Sequence, residues 1–208
     1  MLKPYTELAK TDPSAIKLGN ICIYCGSSSH VDEVYKQTAR NVAAAIAQSG
    51  MNLIYGGGHV GLMGLVADSA LSAGGKVIGI IPEHIRAHEV QHTGLTEMIV
   101  VDSMHKRKDL MAEKADAFVV LPGGLGTLDE TFEILTWKQL GLHTKPVVFY
   151  NVNGYWDPMI KLIQHIVDQH FAIPGHLNLY KVVSSIDEMF TVLAGPPEQS
   201  IDPEDKWR

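Results

Sequence analysis

A glycine-rich turn between a buried strand and a helix is the feature that most constrains the fold of this chain. The apolar run 117–121 is typical of a buried parallel strand. Apolar side chains then recur at helical spacing from Leu128 to Leu135, which predicts a helix that begins near Thr127. Glycine has no Cβ atom and the first amides of a helix have no internal partner, so an anion can approach the backbone closely. The sequence therefore predicts a phosphate-binding loop at a helix N-terminus. This phosphate loop consists of Gly123, Gly124, Leu125, Gly126 and Thr127.

Two details of the phosphate loop limit the kind of ligand that it can bind and leave the role of Glu130 open. Thr127 and Leu128 stand where a Walker A loop places its lysine, so a single phosphate is expected rather than a triphosphate. Thr127 and Glu130 also have the spacing of a capping box, in which the threonine caps the helix and the glutamate bonds back to it. Spacing alone leaves two roles for Glu130, as a helix cap or as a catalytic carboxylate.

Strand-like apolar runs alternate with helical patterns along most of the chain. This alternation predicts an α/β fold, with one doubly wound, mainly parallel, Rossmann-like sheet and helices on both faces. We expect a single domain over residues 19–194, between a loose N-terminal arm (1–18) and a polar C-terminal tail (195–208). Ligands of such sheets bind beyond the carboxyl ends of the strands. The predicted strands are residues 21–24, 53–55, 76–81, 98–101, 117–121, 146–150 and 182–183.

Composition excludes several classes of partner. A length of 208 residues fits one sizeable α/β domain. The net charge of −6 provides no basic surface for nucleic acid or for an anionic membrane. No signal-peptide pattern and no apolar run long enough to span a bilayer is found in the sequence. With only two cysteines as well, a reducing cytoplasm is the expected compartment.

Two further turns follow predicted strands. Ser27 and Ser28 come after the first strand, where their hydroxyls either bind a nucleotide or cap the next helix. The second strand leads into a glycine turn that contains Gly57 and Gly58 and partly matches a dinucleotide fingerprint. The strand that follows ends without an acid for a ribose hydroxyl, so NAD is not expected. We interpret the second turn as a place where a nucleotide lies against backbone.

Neither of two metal-like patterns predicts a metal. Cys22 and Cys25 form a C-x-x-C in a strand and its exit rather than at a helix start, so buried thiols are favoured over a redox or zinc site. His84, His88 and His92 would share one helical face, but no other residue supports a metal there, and a solvated loop is favoured. We expect neither a metal nor a cofactor.

A predicted helix over residues 104–115 carries Lys106, Arg107 and Lys108 in its first turns. Cations near a helix N-terminus oppose the helix dipole, so they do not serve helix stability. The two lysines are typical of a solvated face. Arg107 is favoured for recognition of an anion or a ribose, because its planar fork suits phosphate and hydroxyl oxygens.

Two motifs in fixed order give the chain a recognisable pattern. Residues 122–130 (Pro-Gly-Gly-x-Gly-Thr-x-x-Glu), preceded by Met104–Lys108, resemble the "lonely guy" (LOG) family of cytokinin riboside 5′-monophosphate phosphoribohydrolases. The resemblance extends from about residue 19 to 194. It includes Tyr55–Gly58, Thr136-Trp137 and Asn151–Tyr155.

The resemblance implies a hydrolase that cleaves the N-glycosidic bond of a nucleoside 5′-monophosphate, with Arg107 and Glu130 as the catalytic pair. It also implies a homodimer, with residues 131–140 near the interface. The residues that flank Glu89 differ from the family's pattern, which leaves the base open between an N6-modified adenine and plain adenine. The implied substrate contacts beyond the phosphate loop are Ser27, Gly57, Gly58, Glu89, Met104, Lys108 and Thr136.

Two other functions belong to similar proteins. Some have been labelled lysine decarboxylases, but that reaction needs pyridoxal phosphate on a lysine with partners for its ring nitrogen, and the sequence contains no such set of residues. The alternative that stays open is a non-enzymatic carrier of a nucleotide or of a phosphorylated cofactor, as in the molybdenum-cofactor carrier proteins.

Overall fold

A seven-stranded parallel sheet forms the centre of the protein, in a computed structural model that describes residues 18–86 and 90–196. The strands are β1 (Asn20–Tyr24), β2 (Asn52–Tyr55), β3 (Val77–Pro82), β4 (Glu97–Val101), β5 (Ala117–Val120), β6 (Val147–Tyr150) and β7 (Lys181–Val183). The helices are α1 (Glu33–Gln48), α2 (Leu62–Ser72), α3 (Met104–Lys114), α4 (Leu125–Gln139), α5 (Asp157–Asp168) and α6 (Ile186–Leu193). Every strand pair is parallel.

The order of the strands places a crevice beside β1. The sheet runs β4-β3-β2-β1-β5-β6-β7, so the chain moves outwards from β1 to β4 and then returns to β5 on the other side of β1. The loops that leave β1 and β5 therefore turn towards opposite faces of the sheet. This topological switch point, at the carboxyl ends of the strands, is where open α/β sheets bind their ligands.

Helices cover both faces of the sheet, which is why the strands are apolar throughout. Buried side chains of α1, α2 and α6 pack on one face, and those of α3, α4 and α5 pack on the other. Alternate residues of β1 divide between the faces, with Ile21 and Ile23 on one side and Cys22 and Tyr24 on the other. Each strand thus removes both of its faces from water.

The predicted architecture is confirmed, with small shifts at the ends of the elements. All seven predicted strands form, each within one residue of its predicted bounds. The sheet is fully parallel among the described strands rather than mainly parallel. Residues 1–17 and 197–208 lie outside the described residues, so the predictions of an N-terminal arm and a C-terminal tail stay predictions.

Length and apolarity together set whether a helix can cross a bilayer. No helix within the described residues has enough of both to do so.

Candidate active site

The phosphate loop leads directly into the N-terminus of α4. Gly124 is the N-cap residue, and the first hydrogen bond of the helix runs from the Leu128 amide to the Gly124 carbonyl at 3.0 Å. The amides of Leu125, Gly126 and Thr127 precede that bond and lie at the positive end of the helix dipole. This geometry is that of an anion-binding helix N-terminus.

The predicted capping box at Thr127 and Glu130 is wrong. Gly124 adopts an extended conformation (φ −95°, ψ −152°), so the helix begins two residues earlier than the apolar spacing indicated. Thr127 consequently lies inside the first turn and is only 3% exposed. Glu130 lies beyond that turn, where it cannot take the capping role. The catalytic role of Glu130 stays a prediction.

Three turns pack backbone against backbone beside the phosphate loop. The Gly26 amide donates to the Pro122 carbonyl at 3.0 Å, and the Leu62 amide donates to the Gly26 carbonyl at 3.1 Å. A Cβ atom on Gly26 would lie 3.2 Å from the Cα atom of Gly123. Glycine is required at Gly61, which has a φ of +63° and whose Cβ atom would overlap the Ser27 carbonyl group. The turns after β1, β2 and β5 are thereby fixed relative to one another.

A cavity of about 200 Å³ opens between these turns. Its lining combines the N-terminus of α4, one guanidinium and two carboxylates with several apolar side chains. Its described lining is Ile23, Cys25, Gly26, Ser27, Gly56, Met63, Met104, Arg107, Gly124, Leu125, Gly126, Thr127, Asp129 and Glu130.

Arg107 and Glu130 face each other in this cavity. Arg107 Nη2 lies 3.9 Å from Glu130 Oε1, and the two side chains are 5% and 12% exposed. Arg107 Nη1 also lies 3.9 Å from Met104 Sδ. A Cβ atom on Gly56 would overlap the guanidinium, so the absence of a side chain at Gly56 leaves the space that the Arg107 guanidinium occupies. The pair places positive and negative charge side by side in a largely desolvated pocket, where charge has its strongest effect.

Ser27 and Met104 are two of the substrate contacts that the resemblance implied. Both line the cavity. The alternative role of Ser27 as a helix cap is excluded, because α1 begins at Glu33 and Asp32 is its N-cap residue. Sequence reasoning placed Cys22 and Cys25 as buried thiols, and both are buried and free of disulfides. Burial raises the pKa of both thiols, so neither is primed as a nucleophile.

Lys108 points to α4 rather than into the cavity. Its ammonium lies 3.1 Å from Asp129 Oδ2 and 3.2 Å from Glu133 Oε2, and the side chain is buried. The solvated face that the sequence favoured for Lys108 is therefore wrong. A contact between Lys108 and the substrate phosphate stays a prediction. The Lys108 ammonium lies beside two carboxylates of α4, whereas Arg107 lines the cavity.

Other implied contacts lie outside the described lining of the cavity. Thr136 is exposed on α4, and its hydroxyl donates to the Phe132 carbonyl at 2.7 Å. Gly57 has a φ of +80° and faces β3, where its Cβ atom would lie 3.2 Å from Ile81. Gly58 forms an antiparallel bridge with Gln91. Glu89 lies outside the described residues, and its role stays a prediction.

Gly56, Cys25, Met63 and Ile23 line the cavity, and of these four the sequence placed only the turn of Gly56 at this edge of the sheet. One signal pointed to Gly56, since it is the first residue after β2 and so begins the turn at the carboxyl end of a strand. The other three are apolar: Ile23 lies in β1, Met63 lies in α2, and Cys25 directly follows β1. Their sequence pattern is the same as that of the core, so it gives no sign of their position.

His92 belongs to a different cluster from the one that the histidine spacing indicated. His92 Nε2 lies 2.9 Å from Asp68 Oδ1, and His59 Nε2 lies 3.1 Å from Asp68 Oδ2. The Gly94 amide donates to His92 Nδ1 at 3.0 Å, which places the His92 proton on Nε2, facing Asp68. A metal on Nε2 would move that proton to Nδ1, opposite the Gly94 N–H. The geometry therefore favours a hydrogen-bonded network that ties α2 to the glycine turn; His88 lies outside the described residues.

Fold and cavity together define an α/β protein with an anion-binding helix N-terminus at the switch point of its sheet. A family model described as "possible lysine decarboxylase" matches residues 63–193. A cytokinin riboside 5′-monophosphate phosphoribohydrolase from Rhodococcoides fascians is 44% identical over 178 residues, which is 85% of this chain and 90% of that protein. The LOG5 phosphoribohydrolase of the same description from Arabidopsis thaliana is 38% identical over 90% of this chain and 83% of its own. The chain belongs to this family, the LOG family, as its motifs predicted.

Solved structures confirm the fold. The molybdenum cofactor carrier protein from Chlamydomonas reinhardtii superposes with a TM-score of 0.64, covering 83% of this chain and 94% of that one. The two sequences are 22% identical, so the likeness extends to the fold alone.

The description "possible lysine decarboxylase" implies pyridoxal phosphate, which needs a lysine for its Schiff base. Among the described residues that line the cavity, none is a lysine. Lys108, on the adjoining helix, is held by Asp129 and Glu133. The residues of this site do not fit that cofactor.

Proposed function

We propose that this chain is a hydrolase that cleaves the N-glycosidic bond of a nucleoside 5′-monophosphate, releasing the free base and ribose 5-phosphate. The observation that carries the proposal is the Arg107–Glu130 pair, 3.9 Å apart and beside the N-terminus of α4. An anion site and a desolvated carboxylate in one cavity suit a substrate with a phosphate at one end of a ribose and a cleavable bond at the other.

The phosphate binds at the start of α4. The amides of Leu125, Gly126 and Thr127 donate to its oxygens, and the helix dipole favours its charge. Cβ atoms on Gly124 and Gly126 would meet no described atom within 4 Å, so these positions are open on the side from which a ligand approaches. Ser27 supplies a further hydroxyl from the turn after β1.

The ribose then lies against Glu130. As the bond between C1′ and the base nitrogen breaks, its electron pair leaves with the base and the sugar becomes cation-like, which the Glu130 carboxylate stabilises. A water adds to C1′ and gives its proton to Glu130, while the base takes up a proton, so the overall reaction consumes one water. A guanidinium offers hydrogen bonds and does not act as a proton donor in catalysis, so the part of Arg107 is to orient the phosphate or ribose oxygens.

The proposed hydrolysis is tested by measuring whether the protein converts the nucleotide into free base and ribose 5-phosphate. Incubating the protein with AMP, or with an N6-substituted AMP, should release free base and ribose 5-phosphate in equal amounts, as measured by chromatography. A carrier on the same fold would bind the nucleotide tightly and release no base. Absence of base with both substrates would overturn the proposed hydrolysis.

The names of the relatives support a choice of substrate among the nucleoside 5′-monophosphates. Both relatives are named for a cytokinin riboside 5′-monophosphate, and we assign this chain the same substrate class, N6-modified AMP, with AMP as the comparison substrate. The ratio of kcat/KM for the two nucleotides measures the preference. A higher value for AMP would reassign the substrate.

We also propose that the chain acts as a homodimer in a reducing cytoplasm. Leu140 and Leu142, which follow Trp137 at the end of α4, are 44% and 68% exposed, and Trp137 and Leu142 line a second surface cavity. Two apolar side chains at one helix end suit a contact with a second copy. Light scattering should report a dimer at micromolar concentration, and Leu142→Glu should shift it to a monomer. With only two cysteines, both buried, the chain suits a reducing compartment.

A further inference from the structure

The Asn151–Tyr155 motif reaches the phosphate loop from a neighbouring turn. The Tyr155 hydroxyl donates a hydrogen bond of 2.7 Å to the backbone carbonyl of Gly123. Tyr155 follows β6 and Gly123 follows β5, so the bond joins two adjacent turns at the carboxyl edge of the sheet. We propose that Tyr155 is a positioning residue for the phosphate. Its hydrogen bond fixes the peptide between Gly123 and Gly124, where the amides of the phosphate loop begin.

Peptide geometry explains how a bond to a carbonyl can orient an amide. The Gly123 carbonyl and the Gly124 N–H belong to one planar trans peptide and point in opposite directions. With the carbonyl held by Tyr155, the Gly124 amide is turned to the opposite side, and Gly124 lines the cavity. The preceding carbonyl, that of Pro122, is held by the Gly26 amide at 3.0 Å. Two successive carbonyls at the entrance of the phosphate loop are thus fixed from outside the loop.

A tightly bonded turn holds Tyr155 in place. The Asn151 side chain accepts from the Trp156 amide at 2.7 Å and donates to Asp157 at 2.8 Å. Between these contacts, Asn153 and Gly154 both adopt left-handed backbone conformations, with φ of 51° and 71°. Glycine adopts this conformation readily, but in a non-glycine residue such as Asn153 it is uncommon, and the two Asn151 hydrogen bonds close the turn around it. The turn therefore presents the Tyr155 ring in one fixed direction.

The ring itself is held by two edge-on aromatic contacts. Its centroid lies 5.5 Å from that of Tyr35 and 4.9 Å from that of Trp156, with interplanar angles of 71° and 87°. These contacts do not use the hydroxyl. Replacing Tyr155 by phenylalanine consequently removes the bond to Gly123 and leaves the packing of the ring.

The expected benefit is preorganisation. Glycine has the most backbone freedom to lose, and the phosphate loop contains three glycines. A loop that is ordered before the ligand arrives loses less entropy on binding, which appears as affinity. The inference rests on the phosphate site of the proposed function but not on hydrolysis, so it can be tested with a ligand that does not react.

The test compares ribose 5-phosphate with ribose by calorimetry. Tyr155→Phe should weaken binding of ribose 5-phosphate by about fivefold to tenfold, as for one lost hydrogen bond, and change binding of ribose by less than about twofold. Tyr35→Phe is the matched control, because it removes the same atom from the ring that packs on Tyr155, and it should change neither affinity. With a nucleotide that the enzyme hydrolyses, the KM of Tyr155→Phe should rise and its kcat should stay near the wild-type value.

Two outcomes would overturn the inference. One is wild-type affinity of Tyr155→Phe for ribose 5-phosphate. The other is an equal loss of affinity for ribose and ribose 5-phosphate, which would indicate a general loss of structure. If Tyr155→Phe weakens ribose 5-phosphate alone but the wild-type protein releases no base from AMP, the positioning role stands and the proposed hydrolysis fails.

Discussion

Arg107 Nη2 lies 3.9 Å from Glu130 Oε1 because Gly56 has no side chain. The guanidinium occupies the space that a Cβ atom on Gly56 would fill. In this position the Arg107 side chain extends from α3 to the Glu130 carboxylate on α4. A glycine after β2 therefore determines where the one cation of the described cavity lining lies. The relationship links the second glycine turn to the chemistry of the site, although Gly57 faces β3 and Gly58 pairs with Gln91.

Gly56→Ala should lower turnover by displacing Arg107. The backbone of Gly56 lies outside the left-handed region, so alanine adds only a steric effect. We expect kcat/KM to fall by about tenfold or more, the effect of about 1.4 kcal/mol. In an Arg107→Ala background, which itself weakens both binding and turnover, Gly56→Ala should have almost no further effect. Additive losses in this double-mutant cycle would show that Gly56 acts independently of Arg107.

The glycines of the phosphate loop should separate binding from folding. A Cβ atom on Gly124 or Gly126 would meet no described atom within 4 Å, whereas one on Gly123 would overlap Thr127. Gly124→Val should therefore keep the wild-type Tm and lose affinity for AMP, because it blocks the approach of the phosphate. Gly123→Ala should instead destabilise the fold by about 1–3 kcal/mol.

The same phosphate loop should distinguish ligands by their phosphate. Wild-type protein should bind AMP more tightly than adenosine, since only AMP reaches the amides at the start of α4. Gly124→Val should reduce that difference without changing the affinity for adenosine. Calorimetry with both ligands checks this, and equal affinities of the wild-type protein would remove the phosphate assignment.

Lys108 should contribute a pH-dependent part of the stability. Burial acts to lower the pKa of Lys108, but its hydrogen bonds to Asp129 and Glu133 outweigh that effect and raise the pKa above its usual 10.5. A raised folded-state pKa means that the stabilisation is complete below pH 10.5 and is lost as the pH rises through the folded-state value. Lys108→Met should lower the free energy of unfolding by about 1–2 kcal/mol at neutral pH.

Urea unfolding at neutral pH and at about pH 11 measures this contribution. The difference between the wild-type protein and Lys108→Met should shrink at the higher pH. Lys106→Met is the matched control, because its partner Asp109 lies 2.8 Å away but both side chains are more than half exposed. It should cost at most about 0.5 kcal/mol. A gap for Lys108→Met that is independent of pH would mean that packing, rather than charge, explains the loss.

The fold could be predicted because its signals are local. Buried parallel strands read as short apolar runs, and each run here is followed by a turn of glycine, serine or proline. The position of the site followed from topology, since strand ends that precede glycine turns meet at one edge of the sheet.

The parts that could not be predicted depend on backbone angles and on the direction of side chains. The start of α4 depends on the extended conformation of Gly124, which leaves no trace in apolar spacing. Arg107 and Lys108 are adjacent in sequence, but consecutive helical residues point about 100° apart, so only one of them faces Glu130. Tyr155 belongs to a motif whose role became visible only with its bond to Gly123.

Glu130→Gln tests the centre of the mechanism. The start of α4 at Leu125 removes the capping role, so any fall in Tm should reflect only the loss of negative charge beside Arg107. Glutamine cannot take a proton from water or offer negative charge to a ribosyl cation. Release of base should then fall by about 10²-fold or more, while affinity for ribose 5-phosphate survives because the phosphate loop is untouched.

Glu133→Gln is the matched control for this change. Glu133 lies one turn further along α4, outside the described lining of the cavity, and its carboxylate is 3.2 Å from the Lys108 ammonium. The same substitution there should cost a little stability and leave kcat within about twofold, because the carboxylate supports Lys108 through a partly exposed ion pair. Single-turnover release of base from a saturating nucleotide separates the chemical step from product release. Near wild-type turnover in Glu130→Gln, or an equal loss in both variants, would refute the assignment of the ribosyl cation to Glu130.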